Sequence, residues 1–344
     1  MNKLSCFLTV SALTLMASGA AAASCDDALA QLRSAISSDS TPALLSAFDM
    51  VRSAGCSEET NRITMGQVSA ALATQAQARV AAGDLTGAEE ALTHAPSLHW
   101  AVQAIRGDIA AKRGARGEAA QMYNAALDTI TDPALTPPNS RLVPVADRIA
   151  RLAQENMMLS GNLSASVTRG GQASGVLKSA MRGIRIEKAA TVQAQTEGKQ
   201  ENEYQSTTDL YAGAPKENYV VADAVAAAVN AVYLPVRFAS GSAEMDADGL
   251  REAETLANFL LKNALHKLTV VGHTDDVGSD AFNLDLSLRR AKTVRHFLQA
   301  KGVHAEIYVE GKGEREPPAL VDYAVYSEEE RRKIARRVEL VLHE

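Results

Sequence analysis

The sequence predicts an α+β protein. It reads as an all-α N-terminal region, built as a helical repeat or a bundle, then a long linker, then a C-terminal domain of order β-α-β-α-β-α-β with its helices on one sheet. Three observations lead there. The chain is Ala-rich with a helical period up to about Thr131. Its composition turns to Gly, Ser, Thr and Gln from Leu159 to Asn218. Short apolar runs then alternate with amphipathic stretches from Tyr233 onward. At 344 residues and 46% hydrophobic, the chain is long enough for two domains with a core each. A net charge of -6 with mixed signs excludes the basic face that nucleic acid requires, and 4% aromatics leave few rings for stacking on sugars.

Residues 1–23 read as an export signal. Lys3 supplies the positive start, and Leu4 to Met16 is an apolar run too short for a stable membrane anchor. Ala21-Ala22-Ala23 offers the small-residue cleavage site, making Ser24 the first mature residue. A lipoprotein alternative stands beside this, with Cys25 behind Ala22-Ala23-Ser24, although Leu is more usual than Ala three places before such a Cys. Export removes Cys6 and leaves Cys25 and Cys56 where disulfides persist. Ala28, Leu32 and Ile36, followed by Leu44, Phe48 and Val51 after the Thr41-Pro42 start signal, predict a helical hairpin. A Cys25–Cys56 bridge would clamp its open end, worth about 3 kcal/mol on the chain-entropy estimate. No CxxC or neighbouring His set suggests a redox or metal site instead.

The region 24–158 is read as one α-helical domain. Within it the run from Gly83 to Leu92 aligns with that from Gly114 to Tyr123, a period of 31 residues with Gly, Gly and Ala at matching offsets. Gly83 and Gly114 sit where a helix should end left-handed, and the following Ala lets the next helix pack closely. The segment resembles tetratricopeptide helix pairs, with a shorter period and most aromatic positions absent; a generic Ala-rich bundle fits equally. Such stacks offer a surface to a protein partner. Pro133, Pro137 and Pro138 close the region, and a helix from Val143 to Met158 packs back on it.

From 159 to 221 a flexible linker is expected, with one weak strand at Gly183 to Glu187, because few apolar residues fall in any period. The domain 222–344 opens with an Ala-rich helical lead-in from Ala222 to Ala231. A strand Tyr233 to Phe238 follows, then a helix with Leu250, Ala253, Leu256, Ala257 and Leu260 in one stripe. Next come a buried strand Leu268 to Val271, a helix from about Asn283 to Lys301, and a strand Ala305 to Val309. A helix Ser327 to Ala335 and a strand Val338 to Leu342 end the chain.

In this domain stand Gly272-His273-Thr274-Asp275-Asp276-Val277-Gly278-Ser279, Phe282-Asn283, Leu286-Ser287, Arg289-Arg290-Ala291, Gly311-Lys312-Gly313-Glu314 with Pro317, and Arg336-Arg337-Val338-Glu339. In that order they resemble the OmpA-like peptidoglycan-binding domain of outer-membrane proteins, peptidoglycan-associated lipoproteins and flagellar stators. Phe282 stands where Tyr is common, Ala335 where Asn usually precedes the paired arginines, and the loop from Pro318 to Tyr326 is unlike the usual short polar one. The residues make chemical sense for that role. The diaminopimelate of a peptidoglycan stem ends in a zwitterion, so its receptor needs an anion and a cation converging on one cleft, and Arg suits the carboxylate through its two parallel donors. The resemblance implies that Asp275 holds the ammonium and Arg290 the carboxylate, with Thr274, Asn283 and Arg336 adding hydrogen bonds. The bland alternative is that Asp275 and Arg290 form a surface ion pair, worth ~0 to 1 kcal/mol.

No enzyme is expected and no cofactor is implied. His273 beside Asp275 and Asp276 raises a metal site or a hydrolase, but His94, His99, His266, His296, His304 and His343 show no ligand spacing, and neither G-x-S-x-G nor a P-loop occurs. His273 reads as a packed strand-end side chain. The expected function is wall tethering in the periplasm of a Gram-negative bacterium, free or associated with the outer membrane. The partners are then peptidoglycan and an envelope protein on the helical domain. The alternative is an interaction scaffold whose OmpA-like domain binds no wall.

Overall fold

The computed structural model describes residues 24–137, 139–167, 172–187, 231–263 and 265–343. The expected export signal, the polar part of the expected linker beyond residue 187 and nearly all of the lead-in helix lie outside them. The chain divides into two compact units at Asn61/Arg62.

In the first unit, helix α1 (Cys25–Ile36) starts where the Ser24 hydroxyl accepts from the Asp27 N–H, 3.2 Å. Helix α2 (Thr41–Ser53) is capped in the same way by Ser40 and carries Pro42 in its first turn. Ala28, Leu32 and Ala35 are buried with Leu44, Ala47, Phe48 and Val51. Ala35 takes the place expected of Ile36, which is only half-buried. Cys25 and Cys56 form a disulfide with Cα atoms 5.2 Å apart, clamping the hairpin's open end.

Helix α3 (Glu58–Ala81) leads into the second unit, where α4 (Leu85–Thr93), α5 (Trp100–Lys112) and α6 (Arg116–Ile130) follow. Gly83 (φ 84°) and Gly114 (φ 77°) close α3 and α5 identically. Each glycine N–H bonds three residues back, and the next N–H reaches the carbonyl five back: Asp84 to Arg79 and Ala115 to Ala110, both 2.9 Å. Ala88 and Ala119 are fully buried, as close packing of the second helix requires. Helices α7 (Val143–Ser160) and α8 (Gly175–Glu187) complete this layer.

Here the structure departs from the expected linker. Residues Leu163–Ser166 form a 3-10 turn and Gly175 opens α8, so Gly183 to Glu187, expected as a weak strand, is the end of a helix. Val176, Leu177 and Ala180 lie in the core. The reason is a cap supplied from far away in sequence. Asn124 Oδ1 on α6 accepts the Val176 N–H at 2.9 Å, and Asp128 Oδ1 accepts that of Gly175 at 3.0 Å.

The strands β1 (Val232–Leu234), β2 (Lys267–His273), β3 (Glu306–Gly313) and β4 (Val338–His343) form one sheet in the order β1-β4-β2-β3. β2 and β3 run parallel, while β4 is antiparallel to β1 and β2. The first strand stops four residues short of expectation because Pro235 lacks an N–H for the ladder; Phe238 bridges only to Met245. Helices α9 (Ala247–Asn263), α10 (Asp280–Ala300) and α11 (Glu328–Ala335) complete the expected alternation. Leu250, expected in the buried stripe of α9, is exposed, and Phe259 is buried instead. A Cβ on Gly272 would lie 2.1 Å from the Ser287 carbonyl oxygen, so only glycine lets α10 sit this close to β2.

The helical layer and the sheet share one hydrophobic cluster, which runs from Ala73 through Val176 to Leu342. Helix α7 lies against β1, the edge strand, and Gln154 Oε1 accepts the Tyr233 N–H at 2.8 Å, covering a donor the sheet cannot use. Farther along α7, Glu155 is 1% exposed. It accepts the Val321 N–H at 2.6 Å and the Tyr326 hydroxyl at 2.5 Å, pinning the long loop before α11. Burial pushes its carboxyl above the usual range even though both bonds pull it down.

Candidate ligand-binding cleft

The site grows from the end of β2. His273 is the last strand residue and is 1% exposed, its Nε2 3.4 Å from Glu339 Oε1, so it packs as a strand-end side chain. The chain then turns. The Thr274 N–H donates to the Gly313 carbonyl at 2.9 Å, which ties the turn to the end of β3. Asp275 follows, with Oδ1 accepting the Val277 N–H at 3.3 Å. Ser279 caps α10, and one turn inside it Asn283 donates from Nδ2 to the Asp275 carbonyl (3.3 Å) and to Glu314 Oε2 (2.8 Å).

Two turns on, α10 presents Arg290 inward, 6% exposed. Its Nε donates to the Ser242 carbonyl at 3.0 Å, and its guanidinium carbon lies 5.0 Å from the centre of the Phe238 ring. It forms no salt bridge with any described residue. Burial lowers its pKa to about 10, against the pull of Asp275 and with a push from Arg336. Arg336, at the C-terminal end of α11, donates from Nη1 to Asp275 Oδ2 at 2.6 Å and from Nη2 to Glu329 Oε1 at 2.9 Å. The Asp275–Arg290 ion pair weighed above is therefore not formed: the partner of Asp275 is Arg336.

Arg290 and Arg336 line a cleft of about 320 Å³ together with Met158, Pro235, Val236, Arg237, Phe238, Glu329 and Lys333. Asp275 meets this cleft through Arg336, and its side chain is 13% exposed. Its two oxygens each keep a free acceptor direction. Thr274 and Asn283 are buried, and the Thr274 hydroxyl has no hydrogen-bond partner among the described residues. Of the expected site residues the structure places Arg290 and Arg336 on the lining of the opening, whereas Asp275 reaches it only through Arg336, and Thr274 and Asn283 do not line it. Sequence reasoning missed Lys333, Arg237 and Phe238, which fall outside the recognised motifs. It also missed Met158, which arrives from the helical layer with no local signal at all. Among the described residues no group of three or more His, Cys, Asp or Glu side chains is placed to hold a metal ion.

Fold and cleft together define an α+β binding domain with a mixed-charge site at the end of a buried strand. Residues 237–331 match the OmpA family. The peptidoglycan-associated lipoprotein of Pasteurella multocida is 33% identical over 105 residues, covering 30% of this chain and 70% of that protein. The chain belongs to the OmpA family. Outer membrane porin F of Pseudomonas aeruginosa is 39% identical over 110 residues, 31% of this chain and 30% of the porin. Among solved structures, the peptidoglycan-associated lipoprotein from Burkholderia pseudomallei has 27% identity over 33% of this chain and 88% of that one, with a TM-score of 0.26. The chain thus spans most of the lipoprotein relative and under a third of the porin.

Proposed function

We propose that this protein binds peptidoglycan non-covalently through the diaminopimelate of the stem peptide, with Arg290 receiving the carboxylate and Asp275 the ammonium. The observation that carries this reading is the state of Arg290. It is a buried guanidinium with no salt-bridge partner among the described residues, lining an opening that the Asp275 carboxylate reaches through Arg336. A buried cation of that kind is costly unless something compensates it, and a ligand carboxylate does so with two parallel hydrogen bonds. Arg336 holds Asp275 in place from the other side. The family relatives named above include a lipoprotein whose name states peptidoglycan association.

The setting is the periplasm of a Gram-negative envelope. No helix among the described residues is long and apolar enough to cross a membrane. In this reading the wall-bound domain anchors the helical layer, whose exposed Ile63, Leu98 and Leu135 are the contact points for an envelope protein partner. Two charge-assisted contacts of roughly 1.5 to 3 kcal/mol each give weak binding per stem, so the polymer's many sites supply the useful attachment. The test is co-sedimentation of the full chain with purified sacculi. Wild type sediments, whereas Asp275→Ala and Arg290→Ala stay in the supernatant with unchanged circular dichroism. Retention of either variant at the wild-type level contradicts the assignment.

A further inference from the structure

The charges around the cleft do not cancel. Four of its lining residues are cations: Arg237, Arg290, Lys333 and Arg336. Arg237 is paired with Asp248 at 3.1 Å, and Arg336 takes both Asp275 and Glu329. Glu330, the remaining acid beside Lys333, accepts from Arg116 at 2.6 Å and caps α11 through Ser327. Lys333 therefore has no carboxylate partner among the described residues. Its Nζ donates to the Leu159 carbonyl at the end of α7, 2.6 Å, which fixes the ammonium at the rim and leaves two of its three N–H bonds unassigned. Burial lowers its pKa, Arg237 and Arg336 push it further the same way, and Glu330 and Glu329 pull it back in part. Together with Arg290 this makes two cations on one opening that form no salt bridge among the described residues. The same opening is lined by the apolar side chains of Pro235, Val236, Phe238 and Met158.

We propose that the cleft is a two-carboxylate site, in which Lys333 forms a second anion subsite beside Arg290 and selects stem peptides whose glutamyl α-carboxylate is free over those in which it is amidated. This inference rests on the peptidoglycan reading above and adds the class of stem that the site prefers. A diaminopimelate end occupies Arg290 and Asp275. The neighbouring glutamyl residue then brings its carboxylate to Lys333 while its methylenes lie on the apolar floor. Amidation removes that charge without changing the ligand's size, so the preference reads the Lys333 contact and little else.

The test is calorimetry on the full chain with two synthetic probes, L-alanyl-γ-D-glutamyl-meso-diaminopimelate and the same peptide with an α-carboxamide on the glutamyl residue. Wild type should bind the acid about tenfold more tightly than the amide, the loss of one charge-assisted contact at a half-exposed site. Lys333→Met should bring the ratio to about one, and Lys333→Arg should keep it above about five. Loss of the bond to Leu159 affects both probes alike, so a purely structural role leaves the ratio at its wild-type value. Equal affinities in wild type, or a preference that survives Lys333→Met, overturns the proposal. If neither probe binds and sacculi fail to retain wild type, the peptidoglycan reading itself falls and this inference with it.

Discussion

Two buried charges on either side of α11 have opposite fates. Glu155, at the seam between α7 and the loop before α11, has both carboxylate oxygens engaged, by the Val321 N–H and the Tyr326 hydroxyl. Arg290, in the cleft, is comparably buried but has one bond from Nε and no anion within salt-bridge reach among the described residues. Folding alone accounts for Glu155, because each carboxylate oxygen finds a donor and the contact fastens the helical layer to the sheet. It does not account for Arg290, whose burial lowers its pKa and is met in the free protein only by the Ser242 carbonyl, the Phe238 ring and the more distant charge of Asp275. The lesson is that a satisfied buried charge marks architecture, while an unsatisfied one beside an opening marks the place where a ligand completes the structure.

That contrast can be broken from beneath. The close approach of β2 and α10 at Gly272 sets where Arg290 points, and a methyl there meets the backbone of Ser287. Gly272→Ala should therefore cost about 3 kcal/mol, at the upper end for overpacking, and should weaken sacculus binding together with stability in urea titrations. The seam gives a smaller effect of a different kind. Glu155→Ala orphans the Tyr326 hydroxyl and the Val321 N–H and should cost about 2 kcal/mol by thermal unfolding, with wall binding reduced only as far as the loop and α11 loosen. Smallest is Glu155→Gln, within about 1 kcal/mol of wild type at neutral pH, since the amide oxygen accepts one bond and no charge is buried. The sign of its pH dependence follows from the raised pKa of Glu155. The native state holds that proton more tightly than the unfolded chain, so the group's stabilising contribution is complete below its ordinary value of 4.5 and is lost as pH rises through the elevated one. Wild type should accordingly gain on Glu155→Gln as pH falls from neutrality toward 4.5. A difference that grows in the opposite direction would mean that the carboxylate is stabilised at the seam.

Much of this was legible in the residues. The expected strand Leu268 to Val271 lies within β2, the helix expected from about Asn283 begins three residues earlier behind its Ser279 cap, and the strand expected over Ala305 to Val309 overlaps β3, which runs on to Gly313; Asp275 and Arg290 are singled out by motif order alone. What was not legible depends on contacts between distant segments. Helix α8 owes its start to Asn124 and Asp128, which a window over its own polar composition cannot reveal. Lys333 becomes a cleft residue only because α7 ends at its ammonium, and Met158 only because α7 lies along β1. Arg336, the partner of Asp275, lies 61 residues on, and no local period sets the two side by side.

The central claim is that Arg290 serves a ligand and not the fold, and one variant separates the two. Arg290→Met keeps the aliphatic stem against Phe238 and removes the buried charge, so the melting temperature should be unchanged or higher while retention on sacculi is lost. A variant that still sediments with sacculi, or one that melts well below wild type, would show that the guanidinium is part of the architecture, and the account would be wrong.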